Sequence, residues 1–69
     1  MIDRVKTGKK IKENIEKSGY SVQQISDILE ISVQALYKAM RGGSLLSTRH
    51  FYTLSHILHA PIDSLIIGE

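Results

Sequence analysis

Apolar residues recur at intervals of three and four along almost the whole chain, and this spacing limits the fold more than any other feature. An α-helix has 3.6 residues per turn, so these intervals place apolar side chains on one helix face, whereas a half-buried strand requires strict alternation. Alternating stretches of β-branched residues are missing from the sequence. We therefore expect an all-α fold of short helices without strands.

Capping and stop signals divide the pattern into a compact arrangement of five helices. Short side chains with an oxygen, such as Asp3, Ser21 and Ser32, suit helix N-caps, and glycine suits the residue after a helix. Gln24, three residues after Ser21, completes a capping-box pattern. The expected helices span about Asp3 to Lys17, Val22 to Leu29, Val33 to about Arg41, Ser47 or Thr48 to His59, and a short segment that starts at Ala60-Pro61.

The helix faces also predict the core. The residues expected to point inward are Val5, Gly8, Ile11 and Ile15, then Val22, Ile25, Ile28 and Leu29, then Leu36, Ala39 and Met40, then Phe51, Leu54 and Leu58, and finally Ile62, Leu65 and Ile66. A chain of 69 residues is too short to divide into two cores, so residues 1–69 are expected to form one domain. A deep catalytic pocket is hard to build at this size, and we expect a binding protein rather than an enzyme.

Composition excludes several kinds of site. The sequence has no cysteine, which rules out disulfides, thiolate metal sites and cysteine nucleophiles. His56 and His59 have a spacing that zinc ligands use, with His50 six residues before His56. Histidines on the surface of a helix or half-buried in it are the favoured interpretation, so neither a metal nor a cofactor is expected. No apolar run approaches the roughly 18 residues of a membrane span, and no secretory signal is present, so we expect a cytoplasmic protein with no membrane partner.

Charge is concentrated at the N-terminus. The net charge of the chain is +2, but residues 1–17 hold six Lys or Arg against three Asp or Glu. Solvated lysines on a helix face explain this excess as well as a polyanionic partner does. The deciding question is whether Lys38 and Arg41 lie on the same surface as some of the N-terminal lysines.

Residues from about 21 to 41 have the pattern of a helix-turn-helix: two short helices joined by about three residues, the second with a polar outward face. A helix fits the major groove of B-DNA, where its first turns reach base edges. Gln34 suits adenine, Lys38 suits guanine or a phosphate, Tyr37 can donate to a phosphate, and Val33 can contact a thymine methyl. These four residues are the predicted base-contacting set.

The run S-V-Q-Q-I-S-D-I-L-E-I-S-V-Q-A-L-Y-K-A-M-R-G-G, followed by F-Y-T-L-S-H-I-L-H-A-P-I-D-S-L-I, resembles the Cro/lambda-repressor-like helix-turn-helix regulators, the XRE family. The resemblance spans residues 8–67 without a gap. It implies a five-helix lambda-repressor-like domain that binds operator DNA as a homodimer, with the third helix as reader. The DNA-backbone contacts that it implies are Ser21, Val22, Ser32 and Arg41, with Gly43 and Ser44 in the following loop.

The chain departs from this family at informative positions. Val22 stands where the family often has glutamine, so the side-chain contact of that glutamine is lost. Ile15 and Met40 stand where the family commonly pairs an arginine with a glutamate. Replacement of both members of a buried ion pair by apolar side chains is often neutral or stabilising. The paired change predicts an Ile15–Met40 contact.

The C-terminal segment is more apolar than one small helix requires. Part of it should fill the core between the first and fourth helices, and the rest can form a dimer contact as the resemblance suggests. The predicted dimer interface consists of Tyr52, Leu65 and Ile67. A role in the core alone is the competing interpretation.

Two functions from different classes follow. The first is a sequence-specific regulator of transcription that binds double-stranded DNA and is expected to be a repressor. Any regulation of it is expected to come from a protein partner, from its own concentration or from promoter competition. The alternative is a protein-interaction or antitoxin-like module that keeps the fold with weak or no operator reading. Gln34, Tyr37, Lys38 and Arg41 favour DNA, whereas Val22, Val33 and the low net charge favour the alternative.

Overall fold

A computed structural model describes residues 1–68 and confirms the all-α expectation for them; Glu69, the last residue of the predicted domain, lies outside this range. Within it the only strand-like pairing is one isolated bridge between Ile2 and Gly68. The five helices are α1 (Arg4–Ser18), α2 (Val22–Leu29), α3 (Val33–Met40), α4 (Thr48–Leu58) and α5 (Ile62–Leu65).

The predicted N-caps are confirmed at the first three helices, and of the two starts considered for the fourth helix Ser47 is the N-cap. In each one a side-chain oxygen accepts the backbone N–H three residues further on; these caps are Asp3, Ser21, Ser32 and Ser47. Ser21 also forms the expected capping box, because Gln24 Oε1 accepts from the Ser21 N–H at 2.8 Å. The predicted start of α5 is one residue too early: Pro61 is its N-cap residue rather than its first helical residue, and makes no side-chain cap.

The core lies where α1 packs against α3, α4 and α5. Its largest fully buried apolar side chains are Ile11, Ile25, Leu36, Phe51, Leu54 and Leu65. Two predicted core residues are wrong: Val5 is 54% exposed and Ile28 is 45% exposed. In α1 the inward stripe is taken by Thr7 and Gly8 instead of Val5. Ile28 stays open because it lines a hollow of about 230 Å³ between the end of α2 and α4, opposite Arg49 and Thr53.

Residues 30–32 connect α2 to α3, and Glu30 adopts a left-handed backbone conformation with φ of 59°. Its N–H donates to the carbonyl of Asp27 at 3.2 Å, and the N–H of Ile31 donates to the carbonyl of Ser26 at 3.1 Å. These bonds end α2 by satisfying its last carbonyls. The chain then reaches the Ser32 cap within two residues, so the turn sets the position at which α3 begins.

Backbone contact with α1 holds the other end of α3. A Cβ atom on Gly8 would lie only 2.5 Å from the carbonyl oxygen of Met40 and 2.6 Å from that of Ala39. Only glycine permits two helices to approach this closely at that point. Ile15 and Met40 are both buried in the same hydrophobic cluster; their direct contact stays a prediction.

The C-terminal residues close over the start of α1. The N–H of Asp3 donates to the carbonyl of Ile67 at 2.8 Å, and the N–H of Ile67 donates to the Thr7 hydroxyl oxygen at 2.9 Å. Leu65 has no exposed surface. We call this region, α5 with residues 66–68 and their contacts on α1, the terminal seam.

Candidate functional site

The outward side of α3 carries the four residues predicted to contact bases. We call Val33, Gln34, Tyr37 and Lys38 the α3 edge. Their spacing of three and four places them on neighbouring positions of one helix surface. Gln34 and Lys38 are exposed, Tyr37 is 45% exposed, and Val33 is half-buried. The chain itself therefore leaves three of the four side chains open to a partner.

The surroundings of the α3 edge are poor in negative charge. No Asp or Glu occurs in the sequence between Glu30 and Asp63, which means that α3, the loop after it and α4 carry none. The same stretch holds Lys38, Arg41 and Arg49. Along α3 and the loop after it, a polyanion would therefore meet positive or neutral groups. The acidic residues nearest before α3 in the sequence are Asp27 in α2 and Glu30 in the turn.

The loop after α3 lies under Lys38. Gly42 has φ of +81°, a conformation that glycine adopts without strain. The N–H of Gly43 donates to the carbonyl of Lys38 at 2.9 Å, and Gly43 lies close to the side-chain stem of Lys38. Gly43 is exposed and Ser44 is half-buried. Both predicted backbone-contacting residues thus follow directly on the C-terminal end of the α3 edge.

The starts of α2 and α3 use their serine oxygens as caps, as predicted. Ser21 Oγ accepts from the N–H of Gln24 at 3.1 Å, and Ser32 Oγ accepts from the N–H of Ala35 at 3.0 Å. Both serines are exposed. Val22 packs its side chain against the core cluster, so only its backbone N–H, at the start of α2, remains for the predicted contact with a DNA phosphate.

A groove of about 360 Å³ lies between α1 and α3. We call it the α1–α3 groove; its lining residues are Val5, Lys9, Lys12, Tyr37, Met40 and Arg41. Arg41 therefore lies on the same surface as two of the N-terminal lysines, Lys9 and Lys12. Lys38 does not line the groove.

Lys9 and Lys12 are absent from the set of residues predicted from the sequence. The available signal was their spacing with Val5, which places all three along one side of α1. That spacing alone does not show which helix lies opposite. The opposite helix is α3, because Gly8 and Ile11 on the adjacent stripe of α1 are buried.

The predicted dimer interface is wrong at Leu65, because a side chain with no exposed surface in the monomer has nothing to offer a second copy. Tyr52 is 59% exposed and makes an edge-to-face contact with the His56 ring at a centroid distance of 4.8 Å. Ile67 is half-buried, with its backbone engaged in the terminal seam. The role of Tyr52 and Ile67 as dimer contacts stays a prediction.

Residues 1–68 contain neither a cluster of metal-ligating side chains nor a membrane-spanning helix. No group of three or more His, Cys, Asp or Glu side chains is arranged to hold a metal ion there. None of the five helices in this part of the chain has both the length and the apolar character that crossing a membrane requires.

No protein-family model matches the chain, and no curated protein or solved structure shows significant similarity to it. The function therefore has to be inferred from the chemistry and geometry of its own residues.

Proposed function

We propose that this chain is a sequence-specific regulator of transcription that binds double-stranded DNA through the α3 edge and acts as a repressor. In this proposal α2 and α3 act as a lambda-repressor-like helix-turn-helix. The observation that carries it is an exposed polar helix edge with no acidic residue on its own helix or in the loop that follows. An exposed helix edge of this kind fits the major groove, which admits one α-helix and presents hydrogen-bonding groups to it.

Each side chain of the α3 edge has a matching partner on a duplex. The Gln34 amide can donate to adenine N7 and accept from the adenine N6 amino group, and the Lys38 ammonium can donate to guanine O6 and N7. The Tyr37 hydroxyl can donate to a phosphate oxygen, which fixes position rather than sequence. Val33 offers only apolar surface, which suits a thymine methyl group.

The dimensions of the chain allow two copies to bind side by side. The described residues measure 30 × 23 × 20 Å along the principal axes. Successive major grooves on one side of B-DNA are separated by about 34 Å, so one copy covers about one half-site. A homodimer on a palindromic operator is therefore part of the proposal, with Tyr52 and Ile67 as the remaining interface candidates.

One observation favours the alternative function, a protein-interaction or antitoxin-like module. Several large apolar side chains away from the α3 edge are exposed, namely Val5, Tyr20, Ile28, Leu45 and Tyr52. A protein partner that covered a cluster of them would remove apolar surface from water. Val5 and Leu45 line one hollow together with Met1 and Ile2, and this hollow is the surface that such a partner would cover. Tyr20, Ile28 and Tyr52 do not line it.

A salt titration separates the two functions. The binding of the chain to a fluorescently labelled random duplex is measured by anisotropy between about 50 and 200 mM salt. DNA binding should weaken steeply, by about 0.9 log units in affinity per log unit of salt for each phosphate contact. Absence of binding at the lowest salt concentration would contradict the proposal and support the protein-interaction module.

A further inference from the structure

We propose that the α1–α3 groove binds the phosphate backbone of the same duplex, beside the base pairs that face α3. This inference rests on the proposed function and extends it to α1, whose Lys9 and Lys12 would become DNA contacts. The groove would add a second anchoring surface that is independent of base identity, since phosphate contacts set position and affinity but carry no sequence information directly.

The charges that line the groove all have one sign. Lys9 and Lys12 come from α1 and Arg41 follows α3, and no acidic residue contributes to the lining. The remaining lining residues are Val5, Tyr37 and Met40. The cations on the two walls of the groove can bind phosphates, and the apolar side chains between them can contact the sugars that join those phosphates.

The three cations are available for a ligand. Across residues 1–68 a single ion pair forms, between Lys10 and Glu13 at 3.6 Å. Glu13 lies four residues after Lys9, yet it pairs with Lys10 instead. Placing lysine before glutamate at this spacing is the weaker arrangement on a helix. Lys9, Lys12 and Arg41 therefore keep their charges without a carboxylate partner.

The positions of the cations suit a polyanion better than a single small anion. Side chains three residues apart on a helix have Cβ atoms about 5–6 Å apart, so Lys9 and Lys12 present two neighbouring charges along α1. Arg41 adds a planar group that can hold two phosphate oxygens from the opposite wall. Several phosphates in a row would neutralise these charges together.

Continuity with the α3 edge favours DNA as the occupant. Tyr37 belongs to the α3 edge and also lines the groove. A duplex seated on the α3 edge would therefore bring its backbone to the mouth of the groove without any movement of the chain. An acidic protein segment could bind the cations of the groove, but the uncharged Gln34 would not attract it onto the α3 edge.

Two double variants with the same loss of charge test the assignment. Lys9→Gln/Lys12→Gln removes two groove cations, and Lys6→Gln/Lys17→Gln removes two exposed lysines of α1 that lie outside the groove, the first of which lines a different hollow. Because Lys9 also borders that second hollow, the single variant Lys12→Gln is measured as well. Far-ultraviolet circular dichroism checks that each variant keeps its helices.

Loss of each phosphate contact lowers the salt dependence of duplex binding by about 0.9 log units per log unit of salt. We expect a decrease of about 1.8 for the groove double variant and about 0.9 for Lys12→Gln. The slope of Lys6→Gln/Lys17→Gln should be unchanged, and preference among duplex sequences should be unchanged in all variants. Random 20- to 30-base-pair duplexes serve as the probe, at roughly the salt range used for the parent chain.

Two different failures are distinguishable. Equal decreases in both double variants would overturn the groove assignment and leave the proposed function standing, because they would reflect net charge alone. An unchanged slope in the groove double variant would overturn the assignment in the same way. Absence of duplex binding by the unmodified chain would overturn the proposed function and the groove assignment with it.

Discussion

Helix α3 and the terminal seam both pack on α1, but they are held by different means. At α3 the contact is between backbones, since Gly8 lies against the carbonyl groups of Ala39 and Met40 with no space for a methyl group. At the terminal seam one fully buried side chain, Leu65, and the hydrogen bonds of the Ile67 backbone make the connection. A backbone contact fixes the position of a helix more tightly than a side chain that can repack. The α3 edge is thus the part of the molecule that α1 positions, whereas the seam mainly adds stability.

The largest effect is expected from Gly8→Ala. Alanine favours a helix over glycine by about 1 kcal/mol, yet here its methyl group would meet two backbone carbonyls. Overpacking typically costs about 1–3 kcal/mol and occasionally more. Because backbone carbonyls cannot move aside easily, we expect a cost of about 4 kcal/mol here, which leaves a net loss of about 3 kcal/mol in the free energy of unfolding after the helix-propensity gain. Urea denaturation followed by circular dichroism measures it. Duplex affinity should fall further than the unfolded fraction explains, because α3 must shift.

Gly19→Ala is the matched control for this variant. Gly19 ends α1 in a left-handed conformation with φ of +85°, and a methyl group placed on it would meet no other atom within 4 Å. Only backbone strain opposes alanine there, which costs about 1 kcal/mol. A stability loss at Gly8 no larger than the loss at Gly19 would show that α1 and α3 do not approach as closely as described.

The terminal seam is tested by Leu65→Ala. Truncation of a fully buried leucine costs about 2–5 kcal/mol, and we expect about 2.5 kcal/mol here because α5 has only four residues and can partly collapse onto the gap. Below the unfolding transition the variant should keep the sequence preference of the parent chain, since Leu65 lies in the core and not on the α3 edge. Altered preference in folded Leu65→Ala would mean that the seam also positions α3.

Two variants with smaller expected effects distinguish base contacts from phosphate contacts around α3. Gln34→Ala should reduce discrimination at one base pair by about 1–2 kcal/mol, because it removes a base contact. Arg41→Ala should weaken all duplexes alike and reduce the salt slope by about 0.9. Competition binding with a panel of single-base variants of a selected operator measures both. Preserved preference in Gln34→Ala would show that the base-reading assignment is wrong.

Local signals in the sequence were sufficient for the helices. Ser21 with Gln24, Ser32, and the glycines after α1 and α3 act within one helical turn, so a single sequence contains all that they need. The helix bounds agree within about two residues for the same reason. Glu30 is different, because its left-handed conformation is uncommon for a residue other than glycine and is imposed by the turn.

Contacts between helices were harder to predict. The periodicity of α1 marked both Val5 and Gly8 as inward, but only the crossing with α3 decides that Gly8 is in contact and that Val5 is exposed. Likewise, an apolar C-terminus is compatible with a core or a dimer role. Leu65 fills the core because α5 packs on both α1 and α4, a fact that spacing within a four-residue helix does not contain.

The candidate site also has one part that lies within a single helix and one part that depends on the packing of two helices. The α3 edge lies on one helix, so its spacing alone identified Gln34, Tyr37 and Lys38 as a shared surface. The α1–α3 groove joins residues almost thirty positions apart in the sequence, such as Lys12 and Arg41. Single-helix patterns do not reveal such a pairing, and it became visible only when the packing of α1 against α3 was known.

The most direct test of the central claim is a chemical-shift titration of the ¹⁵N-labelled chain with duplex DNA. We predict the largest backbone and side-chain amide changes at Gln34, Tyr37 and Lys38, with a second set at Lys9, Lys12 and Arg41. The duplex carries a single half-site, so that no second copy binds beside the first, and Tyr52 and the terminal seam should then change little. Changes centred on Ile28 or Tyr52, with α3 unaffected, would contradict the claim that the α3 edge is the DNA-binding surface.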